Sequence, residues 1–462
     1  MNPDPAPSSI RLSPSSRREF LKTSSKIAAV SALAGVVLPH VHAQGSDVLQ
    51  VALVGCGGRG TGAAADALSA TNGRLQLVAM ADVFEDKLKN SFDGLQKQFP
   101  NQIDVPPDRK FIGFDSYKQA LDSLKPGAIA IFTTPPAFRW VHFKYAIEKR
   151  LNVFMEKPIT VDAPTTKRMM ALADEADKKN LKVGVGLMVR HCRARQALKQ
   201  RIDDGEIGDI ITMRAYRLQG PGGSAFTKAM PPGQNETLYQ IRNFHSFLWA
   251  SGGLFSDFNI HQVDETCWMK GSWPVRATAT GGRNYRGDFV DQNFDNYNIE
   301  YIFEDGARLH FTSRVMSGCH NDFSSYVHGS KGIGVVSATA HTPGKCKTFK
   351  GHTLNRANMI WEFPQPEKNP YRLEWEDLVD AIKNNKPYNE VKRGAMASVV
   401  TSMGRMAAHT GKVVELSEYM EHDHEFAPGL DTLTKDSPAP LQKNANGLYP
   451  IPRPGIVTDR EY

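Results

Sequence analysis

Two short stretches of this chain carry residue types that can take a proton from an alcohol. In "NVFMEKPITV", Glu156 and Lys157 follow a short apolar run and precede a proline. In "GGLFSDFNIHQVDE", Asp257 and His261 are four residues apart. If that second stretch is helical, its carboxylate and imidazole share a face, which would orient the imidazole and raise its pKa. Lysine and histidine both serve as the acid or base of alcohol oxidation.

A glycine-rich loop lies far upstream of both stretches, between a buried apolar run and a helical pattern. Its sequence, "GCGGRG", gives the order Gly55-x-Gly57-x-x-Gly60, with Gly58 and Arg59 inside it. The first glycine permits a tight turn, the second lets the backbone approach a pyrophosphate, and the third lets the helix pack on the strand. This context predicts a dinucleotide site at the helix N-terminus.

The carboxylate expected at such a site is also in place. Asp82 lies 22 residues after Gly60, at the end of the next apolar run. A carboxylate there accepts hydrogen bonds from the adenosine ribose and disfavours a 2′-phosphate. We therefore predict NAD as the cofactor, with NADP as the alternative because Arg59 could also meet a 2′-phosphate.

The elements that must position these residues follow from hydrophobic periodicity. Through residues 48–188, apolar runs alternate with helical patterns of 10–16 residues, which indicates an α/β fold with a doubly wound parallel sheet. Residues 189–411 are richer in β-patterns, including an Asp-Gly hairpin at 303–311, and predict an α+β domain with antiparallel strands. Residues 412–462 are polar and predict an extension that wraps the surface.

Composition excludes several classes of protein. The chain has 462 residues and a formal charge of +7, without a long basic run, so nucleic acid is not indicated as a partner. Its five cysteines are widely spaced and form no CxxC pair, which excludes a disulfide-dense scaffold. The "EHDHE" stretch has adjacent residues rather than ligand spacing, so we expect a solvated loop there and no metal site.

Residues 1–43 have the order of an export signal. The charged "SSRREFLK" precedes the apolar "IAAVSALAGVVL" and the small-residue site "VHAQ". The apolar run is too short for a membrane span, so we expect none after signal removal. The paired arginines resemble a twin-arginine (Tat) signal, which implies the Tat export machinery as a partner and a periplasmic location.

Together, the glycine loop, the "EKP" after a strand and the D-x-x-x-H segment resemble the Gfo/Idh/MocA oxidoreductase family, from about Val48 to about Gly411. The resemblance implies a Rossmann domain followed by an open, mostly antiparallel sheet. It also implies that Lys157 and His261 flank the substrate hydroxyl, with His261 as the acid or base and Asp257 positioning substrate or His261. Four further residues would lie along the cofactor: Glu156 at the nicotinamide ribose, and Thr134, Pro135 and His142.

The substrate side is less determined by the sequence. A basic cluster follows "GLMVR" and comprises Arg190, His191, Arg193 and Arg195. It either grips an acidic sugar or a phosphate, or is simply solvated. Trp249, in "FHSFLW", is either a platform for sugar stacking or part of the core. A homo-oligomer formed through the open sheet is a further expectation from the resemblance.

Two functional hypotheses remain open from the sequence. The first is an NAD-dependent oxidoreductase that acts on a hydroxyl of a sugar, cyclitol or glycoside. The second is a glycosidase in which tightly bound NAD oxidises the sugar transiently, the aglycone is eliminated and the hydride returns. The export signal makes the second a serious alternative because free NAD is scarce outside the cytoplasm. A non-catalytic sugar sensor is opposed by the intact Lys157 and His261.

Overall fold

The computed structural model describes residues 48–284 and 287–462. The export signal predicted at residues 1–43 lies outside these ranges. None of the helices within them is long and apolar enough to cross a membrane.

The first sheet is parallel and has the strand order β3-β2-β1-β4-β5-β6. Its strands are β1 (Leu49–Val54), β2 (Leu75–Asp82), β3 (Lys110–Ile112), β4 (Ile129–Phe132), β5 (Asn152–Met155) and β6 (Val183–Val185). The central strands β4 and β5 are buried along their whole length, as continuous apolar runs require. The order in which successive strands are added to the sheet reverses between β1 and β4, and ligands of open α/β sheets bind at this switch point.

The second sheet has nine strands in the order β14-β13-β12-β11-β7-β10-β9-β8-β15, and only the β7–β10 pair is parallel within the described residues. Its strands are β7 (Ile210–Gln219), β8 (Arg276–Gly282), β9 (Asn296–Ile302), β10 (Arg308–Val315), β11 (Asp322–Gly329), β12 (Gly332–Ala338), β13 (Lys347–Lys350), β14 (Met359–Glu362) and β15 (Val414–Glu415). The parallel first sheet and the mostly antiparallel second sheet confirm the predicted fold class.

The helices cover both sheets. They are α1 (Gly58–Ala70), α2 (Glu85–Gln98), α3 (Ser116–Asp122), α4 (Arg139–Glu148), α5 (Ala163–Lys178), α6 (Arg193–Asp203), α7 (Glu236–Arg242), α8 (Leu248–Ser251), α9 (Gly253–Lys270), α10 (Pro370–Lys383), α11 (Val391–Thr410) and α12 (Leu416–Glu421). Helix α9 carries the D-x-x-x-H segment, and its 18 residues are nearly all buried.

Helix α10 returns to the first sheet, although its sequence position lies among residues predicted for the second domain. Trp375 stacks on Phe154 of β5 with ring centroids 4.4 Å apart. The Glu390 carboxylate accepts a hydrogen bond of 2.8 Å from the amide of Val185 in β6. The edge of the parallel sheet is therefore closed by chain from the far end of the sequence.

Residues 422–462 contain little regular structure, yet several of their apolar side chains are buried. Leu430, Leu441 and Tyr449 belong to the hydrophobic core that also contains the helices of the first sheet. The side chain of Gln240 donates to the Leu441 carbonyl at 2.8 Å. These side chains anchor the segment to that core.

Candidate active site

The glycine loop forms the turn from β1 into α1. Gly55 has φ +95°, and a Cβ on it would lie 2.7 Å from the backbone of Thr134. A Cβ on Gly60 would lie 2.0 Å from the Gly55 carbonyl oxygen, so the helix can approach the strand only without a side chain. A Cβ on Gly57 or Gly58 would meet nothing within 4 Å. The open backbone at Gly57 and Gly58 fits a pyrophosphate at the N-terminus of α1.

Asp82 ends β2 beside this loop. Its carboxylate accepts hydrogen bonds from the amides of Cys56 (2.6 Å) and Phe84 (2.9 Å). Burial raises the pKa of Asp82, and these backbone donors partly offset that effect. Asp82 lines one cleft together with Gly57, and that position fits an acceptor for the adenosine ribose.

Arg59 is engaged away from Asp82. Its Nε donates to Glu156 at 2.6 Å, and its second nitrogen lies 3.3 Å from Asp66. The guanidinium also stacks over the ring of Tyr371 at 4.9 Å. Because these partners hold it, Arg59 gives no support to a 2′-phosphate site, and the geometry favours NAD.

Three of the residues assigned along the cofactor follow β4, with Thr134 and Pro135 in the loop after the strand and His142 on α4. Thr134, Pro135 and His142 line the same cleft as Asp82. The Thr134 hydroxyl and His142 Nδ1 are 3.1 Å apart. Burial, helped by Arg139, lowers the pKa of His142 to about 3, so its ring is neutral at physiological pH.

Glu156 follows β5 and is almost completely buried. It lies against Arg59, and its carbonyl accepts a 3.0 Å hydrogen bond from Arg139. A Cβ on Gly186 would lie 2.7 Å from the Glu156 carboxylate, so the glycine provides the space that this carboxylate occupies.

Lys157 is the next residue, and its peptide bond to Pro158 is cis. The ammonium donates to the backbone carbonyl of Asp257 at 2.6 Å and lies 3.6 Å from the Asp257 carboxylate. The first sheet and helix α9 thus place a lysine and an aspartate in direct contact, although they are 100 residues apart in sequence.

Asp257 has a second partner that the sequence analysis missed. Its Oδ2 accepts a 3.1 Å hydrogen bond from Nε2 of His245, and Nδ1 of His245 lies 3.1 Å from the Ser224 hydroxyl. Burial would raise the pKa of Asp257, but Lys157 and His245 outweigh it and hold that pKa well below its usual range. His245 lies in the loop before α8, so no residue spacing in the sequence points to it.

His261 shares helix α9 with Asp257, and the carboxylate raises its pKa as expected, but other groups outweigh that effect. Burial, Lys157 and Arg217 lower the pKa of His261 well below 6.5, and Asp257 offsets them only in part. Its ring packs edge-on against His341 at 4.5 Å. The carboxylate partners His245 instead, and His261 is a neutral imidazole beside the Lys157 ammonium.

The basic cluster after β6 is neutralised by acidic residues rather than open to solvent. Arg190 forms two hydrogen bonds, of 2.8 and 2.7 Å, with the buried carboxylate of Asp264. The remaining pairs are His191–Asp377 (2.7 Å), Arg193–Asp377 (2.8 Å) and Arg195–Glu265 (2.8 Å). Arg190 therefore has a structural partner, and a role in gripping an anion is not supported.

Trp249 is not available for stacking a sugar. Its side chain is fully buried, its indole N–H donates to Gln240 at 2.7 Å, and its ring packs edge-on against Phe138. The neighbouring Phe247 and Leu248 are also fully buried. The aromatic cluster belongs to the core because the loop folds inward under α7.

Comparisons with known proteins agree with this geometry. A family model described as "Oxidoreductase family, NAD-binding Rossmann fold" matches residues 49–186, and one for the GFO/IDH/MocA C-terminal domain matches residues 195–334. The scyllo-inositol 2-dehydrogenase (NAD(+)) of Bacillus subtilis is 26% identical over 265 residues, covering 56% of this chain and 69% of that protein. An inositol 2-dehydrogenase of Rhizobium meliloti is 26% identical over 234 residues, covering 50% and 63%.

Solved structures show the same fold. The aldose-aldose oxidoreductase of Caulobacter crescentus has a TM-score of 0.61 and 18% identity, covering 80% of this chain and 99% of that one. A myo-inositol 2-dehydrogenase from Lactobacillus plantarum has a TM-score of 0.57 and 21% identity, with coverages of 80% and 99%. With both family models matched in order and the two sheets in place, this chain belongs to the Gfo/Idh/MocA oxidoreductase family, with an NAD-binding Rossmann fold.

Proposed function

We propose that this protein is an NAD-dependent dehydrogenase of a hydroxyl group on a sugar, cyclitol or glycoside. The observation that carries the proposal is the contact of Lys157 with Asp257 at the carboxyl end of the parallel sheet, with His261 one helical turn further along α9. The inositol dehydrogenases among the relatives support a cyclic polyol as the substrate class.

The residues fit the roles that this reaction needs. NAD held by the glycine loop and Asp82 would supply the hydride acceptor, and the carbinol and NAD would give a ketone, NADH and a proton. His261 is neutral, so it can accept the hydroxyl proton. Lys157 would donate a hydrogen bond to the oxygen as the C=O bond forms, and Asp257 fixes the lysine in place. The proton then passes from His261 to water.

The glycosidase hypothesis has weaker support. The relatives described above are named as dehydrogenases or oxidoreductases, which favours net oxidation. The two reactions differ in a measurable product, since net oxidation accumulates NADH and the glycosidase cycle returns its hydride.

The proposal can be tested by following NADH at 340 nm with a panel of cyclitols, aldoses and glycosides. Lys157→Ala should lower kcat by about 10²–10⁴-fold while NAD still binds, because the lysine acts on the reacting oxygen. Lys149→Ala is the control, since Lys149 forms an exposed pair with Asp122. A fully active Lys157→Ala variant, or hydrolysis without NADH, would refute the assignment.

We also propose export of this protein through the Tat route, on the evidence of the arginine pair in "SSRREFLK". Replacing Arg17 and Arg18 by lysine should retain the protein in the cytoplasm. Cell fractionation followed by immunoblotting measures this, and an unchanged periplasmic fraction would contradict the proposal. A homo-oligomer remains a prediction, which light scattering of the purified protein checks.

A further inference from the structure

Arg217 on β7 is a half-buried cation held in one orientation. Its guanidinium lies 4.4 Å from the ring of Phe323 and 5.8 Å from that of Phe258. Its Nε donates to the side chain of Gln219 at 2.7 Å, and one terminal nitrogen lies 2.9 Å from Nε2 of His341. Burial lowers the pKa of Arg217 to about 10, so it is still charged at neutral pH.

No carboxylate forms an ion pair with Arg217 anywhere in the part of the chain that the structure describes. The nearby Arg190 and Arg195 behave differently, because each is matched by a buried carboxylate, on Asp264 and Glu265. The buried Arg139 also lacks a carboxylate, but it is satisfied by the backbone carbonyls of Glu156 and Thr134. An arginine has five donors, so Arg217 keeps donors for a further acceptor.

Arg217 is connected to the proposed reaction centre through His341. The ring of His341, which contacts Arg217, packs against the ring of His261 at 4.5 Å. Arg217 and Lys157 both lower the pKa of His261, so both cations lie near that imidazole. Lys157 forms an ion pair with Asp257, whereas Arg217 forms none among the described residues, and the carboxylates of Asp257 and Glu265 act on it only from a longer distance.

The hydrogen bonds give a second, independent indication. Because a guanidinium can only donate, Nε2 of His341 is the acceptor and its Nδ1 carries the hydrogen. That Nδ1 is buried and has no partner among the described residues. Nδ1 of His261 is likewise buried without a partner in the same ranges. A buried donor left unpaired costs free energy, so an acceptor from a substrate or from water would stabilise the N–H of His341.

We propose that the substrate carries a carboxylate, as in a sugar acid or a carboxylated cyclitol, and that Arg217 with the N–H of His341 binds it. A monoanion would give Arg217 the ion pair that it lacks, and its planar oxygens match the flat guanidinium. The carboxylate is unchanged in the reaction, which still moves one hydride and one proton from a ring carbinol. This inference rests on the proposed function and narrows its substrate class.

The test compares each acid with its neutral parent: D-glucuronate with D-glucose, and D-galacturonate with D-galactose. Binding to the NADH complex is measured by calorimetry, and oxidation by NADH formation. We expect at least one acid to bind and react about 100-fold better than its parent, as the loss of a charged hydrogen bond implies. Arg217→Gln should remove that preference by raising the KM for the acid alone, and Arg217→Lys should retain part of the preference. Any change in kcat that the lost charge causes through His261 should be common to the acid and its parent.

The matched control is Arg214→Gln. Arg214 lies on the same strand, also contacts a histidine (His328, 3.1 Å) and stacks on an aromatic ring (Tyr326, 4.5 Å). It is three residues from Arg217, so it faces the other side of the sheet. The control should keep the preference for the acid.

The outcomes separate this inference from the proposed function. If acid and parent bind equally, or if Arg217→Gln weakens both alike, the carboxylate inference is overturned while polyol oxidation stands. If no compound is oxidised but the acid binds and Arg217→Gln abolishes that binding, the inference stands and the proposed function fails. Thermal unfolding of both variants checks that they fold.

Discussion

The sharpest stability prediction concerns Glu461, whose carboxylate balances a fully buried arginine. Arg405 donates to Glu461 through two nitrogens, at 2.8 and 2.9 Å, and has no exposed surface. The same guanidinium donates to the carbonyls of Val161 and Gly252, both at 3.0 Å. Val161 ends the "EKPITV" stretch and Gly252 precedes helix α9, so this ion pair joins the two segments that carry the proposed catalytic groups.

The size of the effect follows from the pKa of Glu461. Burial alone would raise it, but Arg405 and His409 outweigh burial and lower the pKa from 4.5 to about 2. A shift of that size corresponds to about 3 kcal/mol, at about 1.4 kcal/mol per unit. Breaking a buried pair by removing one partner costs about 3–5 kcal/mol, which agrees. Glu461→Gln should therefore lower the free energy of unfolding by about 3 kcal/mol at pH 7.

The direction of the pKa shift determines how stability changes with pH. A carboxyl with a lowered pKa stabilises the fold above its unfolded pKa of 4.5, and that stabilisation disappears as the pH falls towards 2. Urea unfolding at several pH values measures it, with Glu421→Gln as the exposed control, since Glu421 pairs with Lys167 at the surface. The control should change stability by less than about 1 kcal/mol. A Glu461→Gln variant that matches this control at pH 7 would refute the reasoning.

Glu374 provides the opposite buried control. Burial and the neighbouring Glu156 raise the pKa of Glu374 well above 4.5, and neither of its oxygens has a hydrogen-bond partner among the described residues. Its nearest cation is Arg59, at 4.0 Å. A carboxyl with a raised pKa loses its contribution to stability as the pH rises above 4.5. The free energy of unfolding of Glu374→Gln should therefore rise relative to that of the wild type as the pH increases. If the effects of Glu461→Gln and Glu374→Gln on stability changed in the same direction with pH, the pKa shifts assigned to both glutamates would be contradicted.

Three further predictions concern the site. Asp82→Asn should raise the Kd for NAD about tenfold because the charged acceptor for the ribose is lost. The difference between the Kd values for NAD and NADP should narrow, and fluorescence titration measures both. His245→Gln should lower kcat about tenfold without changing the NAD Kd, since the donor that orients the aspartate is weakened; an equal change in both would indicate a general structural role. Gly186→Ala should cost about 1–3 kcal/mol in urea unfolding because its Cβ would meet the Glu156 carboxylate, whereas Gly94→Ala, in open space, should not destabilise.

Much of the fold could be predicted because its signals are local. The run at 48–55 is β1, and the helical pattern at 165–180 is α5, which begins and ends two residues earlier. The β-rich stretch at 324–336 corresponds to two strands, β11 and β12, joined at Ser330 and Lys331. Short elements such as β3 escape prediction because three residues carry no readable period.

The site divides in the same way. The glycine loop, Asp82 and Lys157 follow strand ends, so their positions could be predicted from sequence order. His245 and Arg217 reach the site from a loop and from the second sheet, and no spacing connects them to Asp257 or to each other. The contact between Arg217 and His341 joins residues 124 positions apart, which only the sheet brings together.

The groups proposed to carry out the reaction and the groups proposed to select the substrate therefore lie in different parts of the fold. The groups proposed to move hydride and proton lie on the parallel sheet and on one helix, where short motifs specify them. The groups proposed to select the substrate, Arg217 and His341, come from β7 and from the chain after β12 of the second sheet. A change at Arg217 can therefore alter which hydroxyl compound binds while Lys157 and His261 keep the same chemistry. For this reason the sequence indicated a dehydrogenase, and the charge of its substrate could be inferred only once the second sheet was in place.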